Sequence, residues 1–181
     1  WGRLPDGEIF RGLTFNQMIG LPVELALQST AAGASLRVNP ARELKSLRRK
    51  THTVKSQSLA PGKNPLAEIH GDLLEIETEI VIGTAKEISF DLRGVPVDYD
   101  VAAQKISCLG NQAALLPKDG KISLHIFVDR ASVDIFGGDG ALYLPMAKAL
   151  ATQDQKLKLS SQGGEASVVS LNVYELKSAW E

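Results

Sequence analysis

Apolar and polar residues alternate along most of the chain from about residue 66 onward. In the run LLEIETEIVI, three glutamates occupy one face, and the other face carries Leu74, Ile76, Ile80 and Ile82. Alternation with period two is typical of strands that bury one face, so this run predicts a half-solvated antiparallel strand. Segments 88–92 and 95–101 repeat the pattern. The pattern therefore predicts a series of short strands, each with one apolar face.

Short stretches rich in glycine, asparagine and aspartate separate these apolar runs. They occupy positions 62–65, 110–111, 118–120, 137–140 and 163–164. Glycine supplies positive φ angles, and Asn and Asp side chains bond to nearby backbone, so such stretches favour turns. Many short strands separated by turns predict an all-β fold, a sandwich of two antiparallel sheets of the concanavalin or jelly-roll kind.

The segment LHIFVDRASVDIFGGDG, residues 124–140, predicts a β-hairpin whose turn is Asp129-Arg130-Ala131. Asp134 falls on the face opposite the core, with the same parity as Ser132, and is expected to face solvent. Glycosidases use paired carboxylates roughly 5 to 10 Å apart as acid and nucleophile, and cross-strand neighbours can meet that distance. Aspartates at turns also bond their own backbone. Both interpretations of these carboxylates stay open, with the structural one favoured.

The first forty residues differ from the rest, because they are rich in glycine and proline and poorly periodic. Segments 22–28 and 35–38 predict two strands around the small-residue turn TAAGA. The run NPARELKSLR predicts a short helix, with Asn39 as the capping residue and Pro40 at the first helical position. We therefore expect a domain boundary at Asn39-Pro40.

The composition indicates an ordinary folded protein. Of its 181 residues, 44% are apolar and 23% are charged, close to the globular average. The net charge of -1 argues against a nucleic-acid partner, because phosphate binding rests on clustered Lys and Arg in excess. The basic run 42–50 is interpreted as a solvated face. No apolar run approaches the roughly 20 residues that span a bilayer, so no membrane partner is expected.

Few residues suggest a metal, a cofactor or a bound sugar. Cys108 is the single cysteine, which excludes an internal disulfide and a cysteine-based zinc site. The histidines lack the close paired spacing of metal ligands and are interpreted as structural or exposed: His52, His70 and His125. We expect neither a metal nor a cofactor. The aromatic residues that could stack on a sugar ring are Tyr99, Tyr143, Tyr174 and Trp180.

The hairpin segment LHIFVDRASVDIFGGDG resembles the hallmark hairpin of the C-terminal β-sandwich module of glycoside hydrolase family 32, which comprises fructan-degrading levanases, inulinases and invertases. Other segments resemble parts of that family in the same order. LPVELAL is similar to the segment that closes the last blade of the catalytic propeller, and NPARELKSLR to the linker that follows it. DLLEIETEI and SLNVYELKSAW are similar to an early and the closing strand of the sandwich.

The resemblance implies a chain without catalytic equipment of its own. The family's nucleophile lies in a WMNDPNG-like motif, beside an Arg-Asp-Pro motif and a Glu-Cys acid/base pair, all on a five-bladed propeller, and none occurs in this sequence. We therefore expect no catalytic residue and no activity of the chain alone. The residues that remain candidates for contact with a propeller or a sugar are Asp129, Arg130, Ser132 and Asp134.

The resemblance also implies an organisation and a set of partners. Residues 1–38 would be a remnant of the last propeller blade with linker strands, and residues 39–181 the C-terminal sandwich. The implied function is a non-catalytic domain that supports a propeller, in the same parent chain or missing from it, with contacts to the substrate cleft or to a homodimer partner. The alternative is a stand-alone module that binds fructan or another oligosaccharide. The sequence itself leaves the location unknown, and fructan degradation in this family favours an extracellular or periplasmic one.

Overall fold

The computed structural model describes residues 2–3, 17–31, 33–60, 62–151, 153 and 155–179. This part of the chain contains no helix that is long and apolar enough to cross a membrane. Its strands are β1 Gly2–Arg3, β2 Gln17–Met18, β3 Val23–Thr30, β4 Gly33–Pro40, β5 Arg48–Val54, β6 Gln57–Leu59, β7 Leu74–Val81, β8 Glu87–Leu92, β9 Val95–Asp100, β10 Lys105–Cys108, β11 Asn111–Ala114, β12 Lys121–Val128, β13 Ser132–Gly137, β14 Leu142–Ala147, β15 Leu157–Gln162 and β16 Ala166–Leu176.

Two antiparallel sheets form a sandwich, as the alternation predicts. One sheet has the order β11-β10-β9-β8-β15. The other has the order β14-β13-β12-β7-β16-β5, and β6 also pairs with β16. Strand β16 therefore lies between β7 on one side and both β5 and β6 on the other. The all-β sandwich prediction is confirmed.

The main hydrophobic core lies between the two sheets and contains the apolar faces that alternation identifies. Ile76, Ile80, Ile126 and Ile135 of the seven-stranded sheet are fully buried. Across from them, the five-stranded sheet buries Ile88, Phe90, Leu92, Val97 and Tyr99. Cys108 belongs to this core, where burial raises the pKa of its thiol to about 11. The cysteine is therefore a small apolar core residue rather than a reactive group.

The predicted N-terminal hairpin is present as strands β3 and β4, which pair only with each other among the described strands. We call residues 23–40 the arm. The predicted helix differs in its start and its kind, because it is a 3-10 helix, Arg42–Leu47, with Ala41 as the N-cap residue and no side-chain cap. Asn39 and Pro40 instead end β4, and Pro40 pairs with Val23. The pairing of β4 with β3 extends the strand through the positions predicted to begin the helix.

Candidate functional site

Two of the four candidate residues, Ser132 and Asp134, lie together on the outer face of the seven-stranded sheet. The Ser132 hydroxyl donates a hydrogen bond to Asp134 Oδ2 at 2.8 Å, and the Tyr143 hydroxyl donates one to Oδ1 at 3.0 Å. The parity predicted for Asp134 is correct, but the expectation that it faces solvent is wrong. Its relative exposure is only 2%. A second layer of chain covers this part of the sheet.

An aromatic cluster next to Asp134 explains that burial. Phe136 stacks on Tyr143, with 4.5 Å between ring centroids, and meets the edge of Phe127 at 6.3 Å. Leu44 and Leu47, in the segment between the arm and β5, pack with these rings, as do Val23 and Val38 of the arm and Leu21 just before it. The outer face of the sheet therefore carries a second, smaller core. This core fastens the base of the arm to the sandwich.

Asp134 is an acidic group held at an energetic cost. Burial raises the pKa of its carboxyl, and the hydrogen bonds from Ser132 and Tyr143 oppose this shift without cancelling it. Burial and the nearby Asp134 charge raise the pKa of Tyr143, so its hydroxyl remains a donor at neutral pH. A carboxyl whose pKa is raised on folding reduces the stability of the fold as the pH rises through its folded pKa.

We expect Asp134→Asn to keep most of the stability of the fold and Asp134→Ala to lose about 1 to 3 kcal/mol of unfolding free energy at pH 7. The amide can still accept from Tyr143, whereas alanine leaves two partly buried hydroxyls without their acceptor. Because the amide does not ionise, the asparagine variant gains stability relative to the wild type as the pH rises above the ordinary Asp value of about 3.9. Urea unfolding between pH 4 and 8 measures this, and an asparagine variant less stable than the alanine variant would contradict it.

The other two candidate residues, Asp129 and Arg130, lie at the end of the sheet in the β12–β13 turn. Asp129 Oδ1 accepts a hydrogen bond from the Arg130 backbone N–H at 2.6 Å, which is the structural role expected of a turn aspartate. The Arg130 side chain extends instead to Asp72, with 2.8 Å between Nε and Oδ2. Asp72 Oδ1 also lies 3.0 Å from Nη2 of the buried Arg93. The four candidate residues therefore form two separate groups.

A charged network that sequence reasoning missed lies at the centre of the outer face. The Arg48 guanidinium donates to both oxygens of Glu75, through Nε at 2.7 Å and Nη2 at 2.5 Å, and to Glu77 Oε1 at 2.7 Å. His125 Nε2 lies 2.7 Å from Glu75 Oε1. The guanidinium carbon also lies 3.6 Å from the ring centroid of Tyr174. One cation thus connects three strands, β5, β7 and β16.

Glu75 is fully buried, contrary to the expectation of a wet glutamate face. Burial raises the pKa of its carboxyl, but the hydrogen bonds from Arg48 and His125 outweigh this effect, and the net pKa is lowered. The same pairing raises the pKa of Arg48. A signal for this network exists in the sequence. Three glutamates on one face of a central strand require cations on neighbouring strands, but alternation does not show which cation faces them.

Glu75, Glu77 and His125 have ligand atoms within 4.8 Å of one another, a spacing that could hold a metal ion. The Arg48 guanidinium already bonds to both glutamates. Its positive charge meets the same electrostatic requirement that a metal would meet. The group is therefore explained as an ion-pair network.

The aromatic residues expected to offer a face to sugars are engaged with protein where the structure describes them. Tyr99 is buried in the main core, and its hydroxyl donates to the Leu115 carbonyl at 3.2 Å. Tyr143 stacks on Phe136, and Arg48 covers the ring of Tyr174. Trp180 lies outside the described residues. These three tyrosines stabilise the sandwich.

The arm presents several exposed leucines on one of its faces. Leu25 pairs with Val38 and Leu27 with Leu36, so these side chains share one face of the hairpin. Val38 packs on the small core at the base, whereas the leucines towards the tip are exposed at 63% for Leu25, 79% for Leu27 and 53% for Leu36. Contiguous exposed apolar surface of this kind marks an interaction site. We call these three leucines the arm patch.

The arm is held at a fixed place on the sandwich by polar contacts as well as by its apolar base. The Val38 N–H donates to the Gly140 carbonyl at 2.9 Å, and Arg37 Nη1 donates to the Gly138 carbonyl at 3.2 Å. The glycine-rich turn after β13 is therefore the support for strand β4. These contacts fix the orientation of the arm on the sandwich.

Comparisons with known proteins agree with this architecture. The family model described as "Glycosyl hydrolases family 32 C terminal" matches residues 43–175. A levanase of Bacillus subtilis is 31% identical over 184 residues, which cover 88% of this chain and 27% of the levanase. A levanase of Bacillus sp. (strain L7) is 29% identical over 90% of this chain and 20% of its own length. The chain thus spans roughly a quarter of the length of these curated relatives.

Solved structures show the same fold at lower identity. The crystal structure of exo-inulinase from Aspergillus awamori aligns with a TM-score of 0.72 and 24% identity, covering 89% of this chain and 36% of that one. Fructan 1-exohydrolase IIa from Cichorium intybus aligns with a TM-score of 0.67 and 13% identity, covering 86% and 40%. In each case the likeness occupies a minor part of the larger protein.

Proposed function

This chain belongs to the C-terminal domains of glycosyl hydrolase family 32, and from that premise we propose that it is a non-catalytic accessory domain of a fructan-hydrolysing enzyme. Its role is to support a catalytic domain, the five-bladed propeller that the family resemblance implies. The relatives named levanase and exo-inulinase are several times longer than this chain, which supports a catalytic domain elsewhere in the parent protein.

The observation that carries this proposal is the arm patch. Three leucines that share one face of a two-stranded hairpin expose apolar surface, and an isolated hairpin is at best marginally stable in water. A domain that covers the patch removes this surface from water and stabilises the hairpin. The catalytic domain is the partner we assign to it. The division into residues 1–38 as a propeller-derived segment and 39–181 as the sandwich rests on the same reasoning, although β4 extends to Pro40.

The candidate carboxylates do not support hydrolysis by the chain itself. Asp134 is buried and bonded to Ser132 and Tyr143, and Asp129 is bound into its own turn. A glycosidase needs one carboxyl group on each side of a scissile bond in an open cleft. Neither aspartate has that setting.

Replacing the arm patch by serines, Leu25→Ser, Leu27→Ser and Leu36→Ser, tests the proposed docking. In the whole parent enzyme we expect a loss of about 2 to 5 kcal/mol of stability, measured as a lower Tm, because three buried leucines become polar. In the isolated chain the same change should alter stability by less than about 1 kcal/mol, since the leucines are exposed there. The matched control replaces polar residues of the opposite arm face, Glu24→Ser and Gln28→Ser.

Equal losses of stability in the parent enzyme and in the isolated chain would contradict docking. Hydrolysis of levan, inulin or sucrose by the isolated chain, abolished by Asp129→Asn or Asp134→Asn, would contradict the non-catalytic role. Saturable binding of levan or inulin to the isolated chain would favour the alternative, a stand-alone oligosaccharide-binding module. A homodimer joined through the arm patch would appear as a concentration-dependent mass of the parent enzyme that the serine variant loses.

A further inference from the structure

A polar cleft of about 210 Å³ lies at the end of the seven-stranded sheet, away from the arm patch. It forms where β7 begins, β16 ends and the β12–β13 turn comes near. Its walls include Arg49, Asp72, Arg130, Glu175, Lys177 and Ser178. Pockets for drug-sized ligands measure about 300 to 1,000 Å³, so this cleft suits a smaller molecule.

The carboxylates in the wall already face cations. Asp72 lies 3.0 Å from Arg93 and 2.8 Å from Arg130. Glu175 lies 2.7 Å from His52 and 3.1 Å from Lys50, and these contacts, the His52 hydrogen bond first, lower the pKa of its carboxyl. The negative charges of the cleft are therefore neutralised from within the protein.

The cations in the wall are in excess. Arg49 and Lys177 also line the cleft, and no described carboxylate lies within ion-pair distance of either side chain. Arg130 is fixed by its pairing with Asp72, so its guanidinium is held in place before any ligand arrives. Three cations from three separate segments thus surround one cleft. An excess of positive charge in a concave site favours an anion.

We propose that this cleft binds a phosphoryl group, either as inorganic phosphate or as the phosphate ester of a monosaccharide. Arginine forks match phosphate oxygens bidentately, and lysine adds a point charge. The Ser178 hydroxyl is a further polar group in the wall. A neutral sugar is disfavoured because the described residues that line the cleft include no aromatic side chain, and a metal cation because the wall is already positive.

Isothermal titration of the chain with inorganic phosphate, fructose 6-phosphate and fructose tests the proposal. We expect saturable binding of both phosphates, no binding of fructose, and weaker binding as salt increases, because exposed charges are screened. Lys177→Gln and Arg49→Gln should each weaken phosphate binding by about fivefold, the effect of one surface charge near the ligand. Lys158→Gln, on β15 of the opposite sheet, is the matched control and should bind as the wild type does.

Comparing inorganic phosphate with fructose 6-phosphate identifies the source of the phosphoryl group. Tighter binding of fructose 6-phosphate than of inorganic phosphate identifies a sugar ester as the ligand, and equal binding identifies free phosphate. Absence of saturation by both phosphates would overturn the proposal, as would equal affinity for fructose and its phosphate. Unchanged phosphate affinity in both Lys177→Gln and Arg49→Gln would also overturn it, because the charges of the cleft would then play no part.

Discussion

Replacing Arg48 by methionine is expected to destabilise the chain by about 3 to 5 kcal/mol at pH 7, because it leaves the buried Glu75 carboxylate without its main partner. Arg48 supplies three hydrogen bonds to Glu75 and Glu77, and the side chain of Glu75 is only 1% exposed. Methionine keeps the apolar length of the side chain and removes the charge. Urea unfolding monitored by circular dichroism measures the loss.

The neighbouring residue provides a matched control. Arg49→Met removes the same group from an exposed position and should change stability by less than about 0.5 kcal/mol. In the wild type, the lowered pKa of Glu75 contributes stability at pH values above the ordinary Glu value of about 4.3, and this contribution is lost as the pH falls. The difference between the wild type and Arg48→Met should therefore narrow at acid pH. A loss that stays constant from pH 7 to pH 3 would contradict the role assigned to the ion pair.

Phe136→Ala is expected to cost about 3 to 5 kcal/mol and to loosen the base of the arm. Phe136 is 2% exposed and forms the centre of the small core on the outer face of the sheet. Its loss removes the ring against which Tyr143 stacks and leaves a cavity beneath Leu44 and Leu47. Chemical unfolding gives the total cost, and hydrogen exchange of amides in β3 and β4 reports on the arm.

Phe90→Ala separates these two effects. Phe90 is equally buried but lies in the main core between the sheets, so its loss should destabilise the chain by a similar amount. When the two variants are compared under conditions that give them equal free energies of unfolding, amides of the arm should exchange faster in Phe136→Ala than in Phe90→Ala. Equal exchange rates in the two variants would mean that the small core does not hold the arm.

The main core was predictable because alternation specifies which face of each strand is buried. Ile76, Ile126 and Ile135 all lie where parity places them. The turn at Asp129-Arg130-Ala131 and the hairpin of the arm were predictable from the turn residues between their strands. These features depend on residues close together in sequence.

The burial of the outer face of the seven-stranded sheet was not predictable, because residues distant in the sequence cover it. The alternation places Asp134 and Glu75 on the sheet face opposite the main core. Such faces are usually exposed to solvent. Asp134 lies beside the small core, to which the arm and the segment between the arm and β5 contribute, and Arg48 covers Glu75. The alternation of apolar and polar residues identifies neither of these contacts. The ion-pair partners Arg48 and Glu75 are 27 residues apart in the sequence. The helix start was missed because β4 pairing overrides the preference of Asn39-Pro40 for a helix start.

The central place of strand β16 has a consequence for how the domain forms during translation. β16, Ala166–Leu176, is made after all the strands it joins, yet it supplies the pairing edge for β5, β6 and β7. Until it leaves the ribosome, those earlier strands lack that partner, and exposed strand edges invite pairing with other chains. Long-range pairings of this kind also slow folding. The nascent chain is thus expected to be vulnerable to aggregation until β16 is inserted between β7 and β5.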